Sequence, residues 1–158
     1  MSHYYLDASA IVKRYSPETG SAWVKALTDP GAGHTIVLGE ITLAEVAAAI
    51  AAKHRAPDGI TIEERNNAVA LFVSHCMTDY ELIAINRSIV DRAVNLTLNY
   101  KLRGYDAVQL ATALVANEAL TAAGLAPLIF VAADADLVAT ASAEGLDTEN
   151  PNLHVTSH

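Results

Sequence analysis

The chain has 158 residues, 52% of them hydrophobic, and its 18 acidic against 10 basic residues give a formal net charge of −8. This length and apolar content suffice for one buried core, so a single domain spanning residues 1–158 is expected. The acidic balance argues against a protein that wraps nucleic acid with a basic surface, although bound metal or a small basic patch can still bring phosphates close.

Short apolar runs alternate with helical patterns along the chain. Strands are predicted at residues 4–6, 35–38, 80–85 and 128–131, and a fifth short strand can form near residues 153–155. Helices are predicted at residues 8–15, 20–27, 42–54, 61–77, 88–98, 105–122 and 135–144. This alternation is typical of an α/β fold with a parallel sheet covered on both faces.

Two of the helices begin with a capping-box pattern. Thr42 is followed three residues later by Glu45, and Thr61 is followed three residues later by Glu64. In a capping box each of these side chains bonds to the backbone of the other residue, so both helices are expected to begin there. Along the helix at residues 61–77, four residues are predicted to share one face: Ala68, Leu71, Phe72 and His75.

Four acidic residues stand where a strand ends or a helix begins: Asp7, Glu45, Asp106 and Asp134. In an open α/β sheet such positions meet at the edge formed by the carboxyl ends of the strands. Carboxylates gathered there repel one another unless a cation lies between them, and oxygen ligands suit a hard ion such as Mg²⁺ or Mn²⁺. The pattern therefore predicts a metal site at this edge.

Each acid also has a plainer interpretation. Glu45 can have no role beyond the capping box, and Asp106 can be an acid that interacts with the positive end of a helix dipole. Asp134 and Asp136 can cap the helix that follows them. Asp7 fits such a role less well, because an acid that ends a buried strand is costly without a partner.

The sequence as a whole resembles a known family. Four segments match the motifs of PIN-domain proteins in order and spacing, at residues 5–10, 42–46, 102–111 and 130–137. Over about residues 4–152 the chain is most similar to VapC-type toxins of bacterial toxin–antitoxin pairs. The resemblance implies a metal-dependent endoribonuclease that uses Mg²⁺ or Mn²⁺. It also implies a three-layer α/β/α fold with a mainly parallel five-stranded sheet.

The resemblance also implies roles for individual residues. The family's catalytic acids map onto Asp7, Glu45, Asp106 and Asp134, with Asp7, Asp106 and Asp134 as the expected metal ligands. Its hydroxyl residue maps onto Ser9, which would order Asp7 or a water, while Asp136 is an auxiliary candidate that faces either the acids or solvent.

One position departs from the family pattern. Relatives usually carry Ser or Thr two residues before the fourth aspartate, where this chain has Ala132. Loss of a hydrogen bond that supports a metal site typically costs about 10- to 100-fold in affinity or activity. A slower enzyme is therefore expected.

Three basic residues are candidates for RNA binding. Lys13 and Arg14 lie on the helix that begins beside the first aspartate, and Arg103 precedes Asp106. They are expected to contact RNA phosphates at the rim of the acidic centre, and the alternative is ordinary surface charge.

Partners and location follow from the same resemblance and from composition. The helix at residues 61–77 and the helix around Trp23 are expected to form a homodimer interface and to take up the antitoxin, whose basic segment would complement an acidic toxin. The sequence has no readable export signal and no membrane-spanning apolar stretch, and its single cysteine is Cys76. A cytoplasmic protein that does not bind membranes is expected.

Two other functions stay open. One is another Asp-based phosphohydrolase, although the haloacid-dehalogenase pattern requires a second aspartate where this chain has Ser9. The other is a non-catalytic PIN-like module that only binds a partner. This function stays open because Ala132 departs from the family pattern.

Overall fold

Five short strands form one parallel sheet in the computed structural model, which describes residues 2–155. The strands are β1 His3–Leu6, β2 Thr35–Gly39, β3 Tyr80–Ile83, β4 Ile129–Val131 and β5 Asp147–Glu149. Their order is β3-β2-β1-β4-β5, and every neighbouring pair is parallel. All five carboxyl ends therefore lie at the same edge of the sheet.

Helices cover both faces of this sheet, so the expected three-layer α/β fold is confirmed. They are α1 Ala8–Tyr15, α2 Ser21–Thr28, α3 Ile41–Arg55, α4 Ile62–Thr78, α5 Arg87–Asn99, α6 Gly104–Ala122 and α7 Ala135–Ala143, with 3₁₀ turns at Pro30–Ala32 and Pro151–Leu153. Successive strand residues point to opposite faces. Tyr5 packs against α5, α6 and α7, whereas Leu6 packs against α1 to α4. None of the helices within residues 2–155 has the length and apolar character needed to cross a membrane.

The fifth strand lies earlier in the chain than the sequence predicted. Residues 151–153 form a 3₁₀ turn instead of a strand, because Asn150 caps that turn and Pro151 has the fixed φ and missing N–H that suit a helical start. Gly145, with φ 93°, ends α7 in a left-handed conformation and lets the chain return directly to the sheet beside β4. The third strand is also two residues shorter than predicted.

Only one of the two predicted capping boxes forms. The Thr61 hydroxyl accepts from the Glu64 amide at 3.0 Å, and the Glu64 carboxylate accepts from the Thr61 amide at 3.0 Å. The capping box predicted at Thr42 and Glu45 does not form. Its helix begins one residue earlier, and both side chains accept hydrogen bonds from Gln109 of α6 instead. A tertiary partner has displaced the local pattern.

The inner face of α4 also differs in one residue from its prediction. Phe72 is fully buried, and Ala68 packs against the same core, whereas 52% of Leu71 is exposed. His75 lies on the inner side, where its Nδ1 is 2.7 Å from the Tyr15 hydroxyl. A step of one residue turns a helix by about 100°, which places Leu71 outside the face that Phe72 occupies.

Candidate active site

Three of the four predicted acids are attached to neighbouring elements at the carboxyl edge of the sheet. Asp7 directly follows β1, and Asp134 lies three residues beyond β4, which pairs with β1. Glu45 is in the second turn of α3, which begins after β2. Asp106 comes from the first turn of α6, and Gln109, one turn later on that helix, bonds to Glu45, which brings the start of α6 to the same edge.

Asp7 is the most deeply buried of these acids, with 4% of its surface exposed. Its Oδ1 accepts hydrogen bonds from the Ser9 hydroxyl at 2.6 Å and from the Ala10 amide at 3.1 Å, so the side chain also caps α1. Burial raises the pKa of Asp7 to about 7; the two hydrogen bonds oppose this increase, and the charges of Asp106 and Glu45 add to it. The carboxylate is held in place at an electrostatic cost.

Ser9 connects the two strands that carry these acids. While its hydroxyl donates to Asp7, it accepts from the Ala133 amide at 2.9 Å in the segment after β4. One side chain therefore fixes the distance between the end of β1 and the start of α7. Ala132, which precedes Ala133 in that segment, is fully buried in the core and has a methyl group where the family resemblance led to the expectation of a hydroxyl.

Glu45 is half-buried and is held by a residue to which the sequence assigned no role. Its Oε1 accepts from Gln109 Nε2 at 2.9 Å. Burial raises the pKa of Glu45, the Gln109 hydrogen bond lowers it, and the charge of Asp106 raises it. A sequence signal for Gln109 existed, because it is a polar residue one turn after Asp106 and stands next to the apolar Leu110 and Ala111.

Asp106 and Asp134 face each other across the more open part of the site. Burial raises the pKa of Asp106, the charge of Asp134 raises it further, and Arg103 lowers it. Asp134 is exposed, and its Oδ1 caps α7 by accepting from the amides of Asp136 at 2.9 Å and Leu137 at 3.2 Å. The capping interpretation of Asp134 therefore holds alongside its place opposite Asp106. The Asp136 side chain is exposed to solvent.

A cleft of about 530 Å³ lies between the first turns of α6 and α7. It is lined by Lys101, Leu102, Arg103, Asp106, Asp134, Asp136 and Leu137. Arg103 therefore lies at the acidic edge, where the sequence placed it, and Lys101, for which the sequence predicted no role, lies beside it. The signal for Lys101 was its position in the same short connection between α5 and α6.

The other two predicted RNA-binding residues do not line this cleft. Helix α1 runs away from the acidic edge, so Arg14 lies about 9 Å further along the helix axis than its first residue. Its guanidinium donates to the Tyr80 hydroxyl at 2.6 Å and to the Thr28 carbonyl at 3.4 Å, and Tyr80 begins β3 at the opposite edge of the sheet. Lys13 is only 5% exposed and forms no ion pair within residues 2–155.

The acids suit a hydrated hard cation better than a cage made of protein ligands alone. As the side chains stand, no group of three or more Asp, Glu, His or Cys residues within residues 2–155 is placed to hold a metal ion. The donors are all carboxylate oxygens, and each of Asp7, Glu45 and Asp106 has its pKa raised partly by another acid, a cost that a cation would remove. Mg²⁺ is usually held by one or two carboxylates together with waters and substrate phosphates. The donor set fits that mode of binding.

Comparison with known proteins places the chain in a family. A family profile described as PIN domain matches residues 4–143. The chain belongs to the PIN domain family. PIN domains are in general nucleases. No curated protein gives a significant match to the chain.

Solved structures share the fold of this PIN domain over nearly its whole length. A toxin–antitoxin complex from Klebsiella pneumoniae is 20% identical, with a TM-score of 0.59 over 94% of this chain and 97% of that one. FitAB bound to an IR36 DNA fragment is 16% identical, with a TM-score of 0.63 over 98% and 99%. VapC20 of Mycobacterium tuberculosis, a toxin that cleaves the sarcin–ricin loop, is 15% identical, with a TM-score of 0.57 over 90% and 95%. At these identities the similarity establishes the fold alone.

Proposed function

We propose that this PIN domain is a divalent-metal-dependent endoribonuclease and the toxin of a toxin–antitoxin pair. The observation that carries the proposal is the convergence of Asp7, Glu45 and Asp106, which follow or lie on three separate elements, at one edge of the sheet. A fold that only needed stability would gain nothing from burying Asp7 beside two other acids. Such an arrangement is expected where the acids serve a site.

The residues divide the chemistry between them. Asp7 and Asp106 are the proposed direct ligands, Asp134 completes or extends the set, and Glu45 orients or deprotonates the attacking water. A divalent cation held by these carboxylates would neutralise charge that develops on the phosphate oxygens and would lower the pKa of a water bound to it. Ser9 keeps Asp7 from rotating by donating to its Oδ1.

The cleft supplies the RNA contacts in this proposal. Lys101 and Arg103 line one wall and provide positive charge that the surface as a whole lacks, since the net charge is −8. They would hold the phosphates on either side of the bond to be cut, while the acids act on that bond.

The toxin assignment is supported by fold and by charge. Similar folds occur in a toxin–antitoxin complex and in a toxin that cleaves the sarcin–ricin loop. An acidic protein with an acidic cleft is complementary to a basic inhibitory segment. The proposed partners are RNA, a cognate antitoxin with such a segment, and a second copy of the chain.

The test is cleavage of defined RNAs by the purified protein. End-labelled ribosomal and transfer RNAs are incubated with Mg²⁺, Mn²⁺ or EDTA, and fragments are mapped for the wild type, Asp7→Asn and Asp91→Asn. Asp91→Asn is the matched control, because it removes the same charge from an exposed pair with Arg87 on α5. Metal-dependent cuts that vanish only in Asp7→Asn are expected.

Other outcomes decide between the alternatives. Turnover of a small phosphate ester without RNA cleavage would indicate a phosphohydrolase. A folded protein that cuts no RNA with either ion, yet binds a basic partner, would indicate a non-catalytic module. Cleavage that persists in EDTA or in Asp7→Asn would contradict the proposed site.

A further inference from the structure

Gln109 is the centre of a buried polar network beneath the acids. It is 1% exposed, its Oε1 accepts from the Tyr5 hydroxyl at 2.5 Å, and its Nε2 donates to Thr42 Oγ1 and to Glu45 Oε1, both at 2.9 Å. Tyr5 and Thr42 are themselves fully buried. The network joins β1, α3 and α6, the three elements that carry Asp7, Glu45 and Asp106.

The surroundings leave the Gln109 amide one consistent orientation. An ionised Glu45 can only accept hydrogen bonds, so the NH₂ group of Gln109 must face it, and the carbonyl oxygen is then left for the Tyr5 hydroxyl. Gly39 makes room for that hydroxyl, because a Cβ at this position would lie 2.8 Å from it. Both amide hydrogens and the carbonyl oxygen are therefore used.

We infer that Gln109 is a positioning residue that holds the Glu45 carboxylate in its working orientation. Of the network's members, only Glu45 reaches the acidic edge; Tyr5 and Thr42 stay in the core and fix Gln109 from behind. A Glu side chain has several rotatable bonds, and hydrogen bonds to buried neighbours restrict them before substrate arrives. The inference rests on the proposed function and adds a residue to it.

A purely structural role is the competing interpretation. Gln109 would then stabilise the packing of α3 against α6, and its loss would affect activity only through folding. The two roles differ in whether the effect of Gln109 depends on Glu45 being present. A double-mutant cycle measures that dependence.

The experiment compares the wild type with Gln109→Met, Glu45→Ala and the double variant under single-turnover conditions with Mn²⁺. Met matches Gln in length and removes every polar contact. If Gln109 acts through Glu45, Gln109→Met slows cleavage by about 10- to 100-fold in the wild type without changing KM for RNA. In the Glu45→Ala background it then causes no further loss. An equal loss in both backgrounds would overturn the inference.

A control and a second readout keep the test decisive. Thr42→Val removes a bond from the same Gln109 nitrogen but leaves its contact with Glu45, so it should lower the urea midpoint while slowing cleavage less than Gln109→Met does. Urea unfolding of the four cycle proteins is independent of catalysis, and non-additive midpoints are expected. If the wild type cuts no RNA, the proposed function fails, and additive midpoints would separately overturn the contact between Gln109 and Glu45.

Discussion

The acidic site has a dry side and a wet side. On the dry side, Asp7 is almost completely buried, and Glu45 is half-buried and tied to a core glutamine. On the wet side, Asp134 and Asp136 are exposed at the start of α7, and Arg103 is exposed across the cleft from them. Buried and hydrogen-bonded groups keep one geometry at a cost in stability, whereas exposed groups adapt to what binds. Substitutions on the two sides should therefore fail in different ways.

The largest expected difference in activity is between Asp106 and Asp136, which line the same cleft. Asp106→Asn removes a proposed ligand of the metal ion. A bound ion stabilises the transition state by several kcal/mol, so a fall in the cleavage rate of about a thousandfold or more is expected. Asp136→Asn changes an exposed carboxylate. Residue 136 contacts Asp134 through its backbone amide, which the substitution leaves in place. It should retain most activity in a single-turnover assay. Equal losses would show that the exposed acid is also a ligand.

The burial of Asp7 should affect the stability of the metal-free protein. Because burial raises the pKa of Asp7 from 3.8 to about 7, the folded protein holds this proton more tightly than the unfolded chain does. Its contribution to stability is complete below about pH 4 and is lost as pH rises through about 7, a total on the order of 4 kcal/mol. Asp7→Asn avoids this loss and should be the more stable protein at pH 8, but not at pH 4.

Urea unfolding in EDTA at the two pH values measures this difference. Addition of Mg²⁺ at pH 8 should raise the wild-type midpoint more than the Asp7→Asn midpoint, since the variant lacks one of the proposed ligands. A variant less stable than the wild type at pH 8 in EDTA would mean that the burial of Asp7 is already compensated within the protein.

The basic wall of the cleft should affect binding more than chemistry. Lys101→Ala and Arg103→Ala are each expected to weaken RNA binding by about 1 kcal/mol and to reduce the salt dependence of binding by a slope of about 1. Arg87→Ala, on exposed α5, is the control. Arg14→Ala should instead destabilise the fold, because Arg14 bonds to Tyr80. A fall in kcat with unchanged binding for Arg103→Ala would place it among the reacting groups.

Much of this site could be predicted because backbone topology determines it. The alternation of strands and helices fixes a parallel sheet, and acids at strand ends and helix starts then share an edge. What the sequence could not give were side-chain directions between elements. Thr42 and Glu45 match a capping pattern, but Gln109 reaches both from another helix. Arg14 is close to Asp7 along the chain, yet it lies two turns down α1 and turns toward Tyr80.

The smallest predicted effect tests the one departure from the family pattern. Ala132 is fully buried two residues before Asp134, and Ser9 already makes the hydrogen bond that joins this segment to Asp7. Ala132→Ser restores a hydroxyl and should raise the rate by no more than about tenfold, the lower end of what such support contributes. The same hydroxyl costs about 1 to 3 kcal/mol of stability if it finds no partner in the core. A faster and equally stable variant would mean that the hydroxyl reaches the acids, whereas a slower, less stable one would mean that Ser9 has made it redundant.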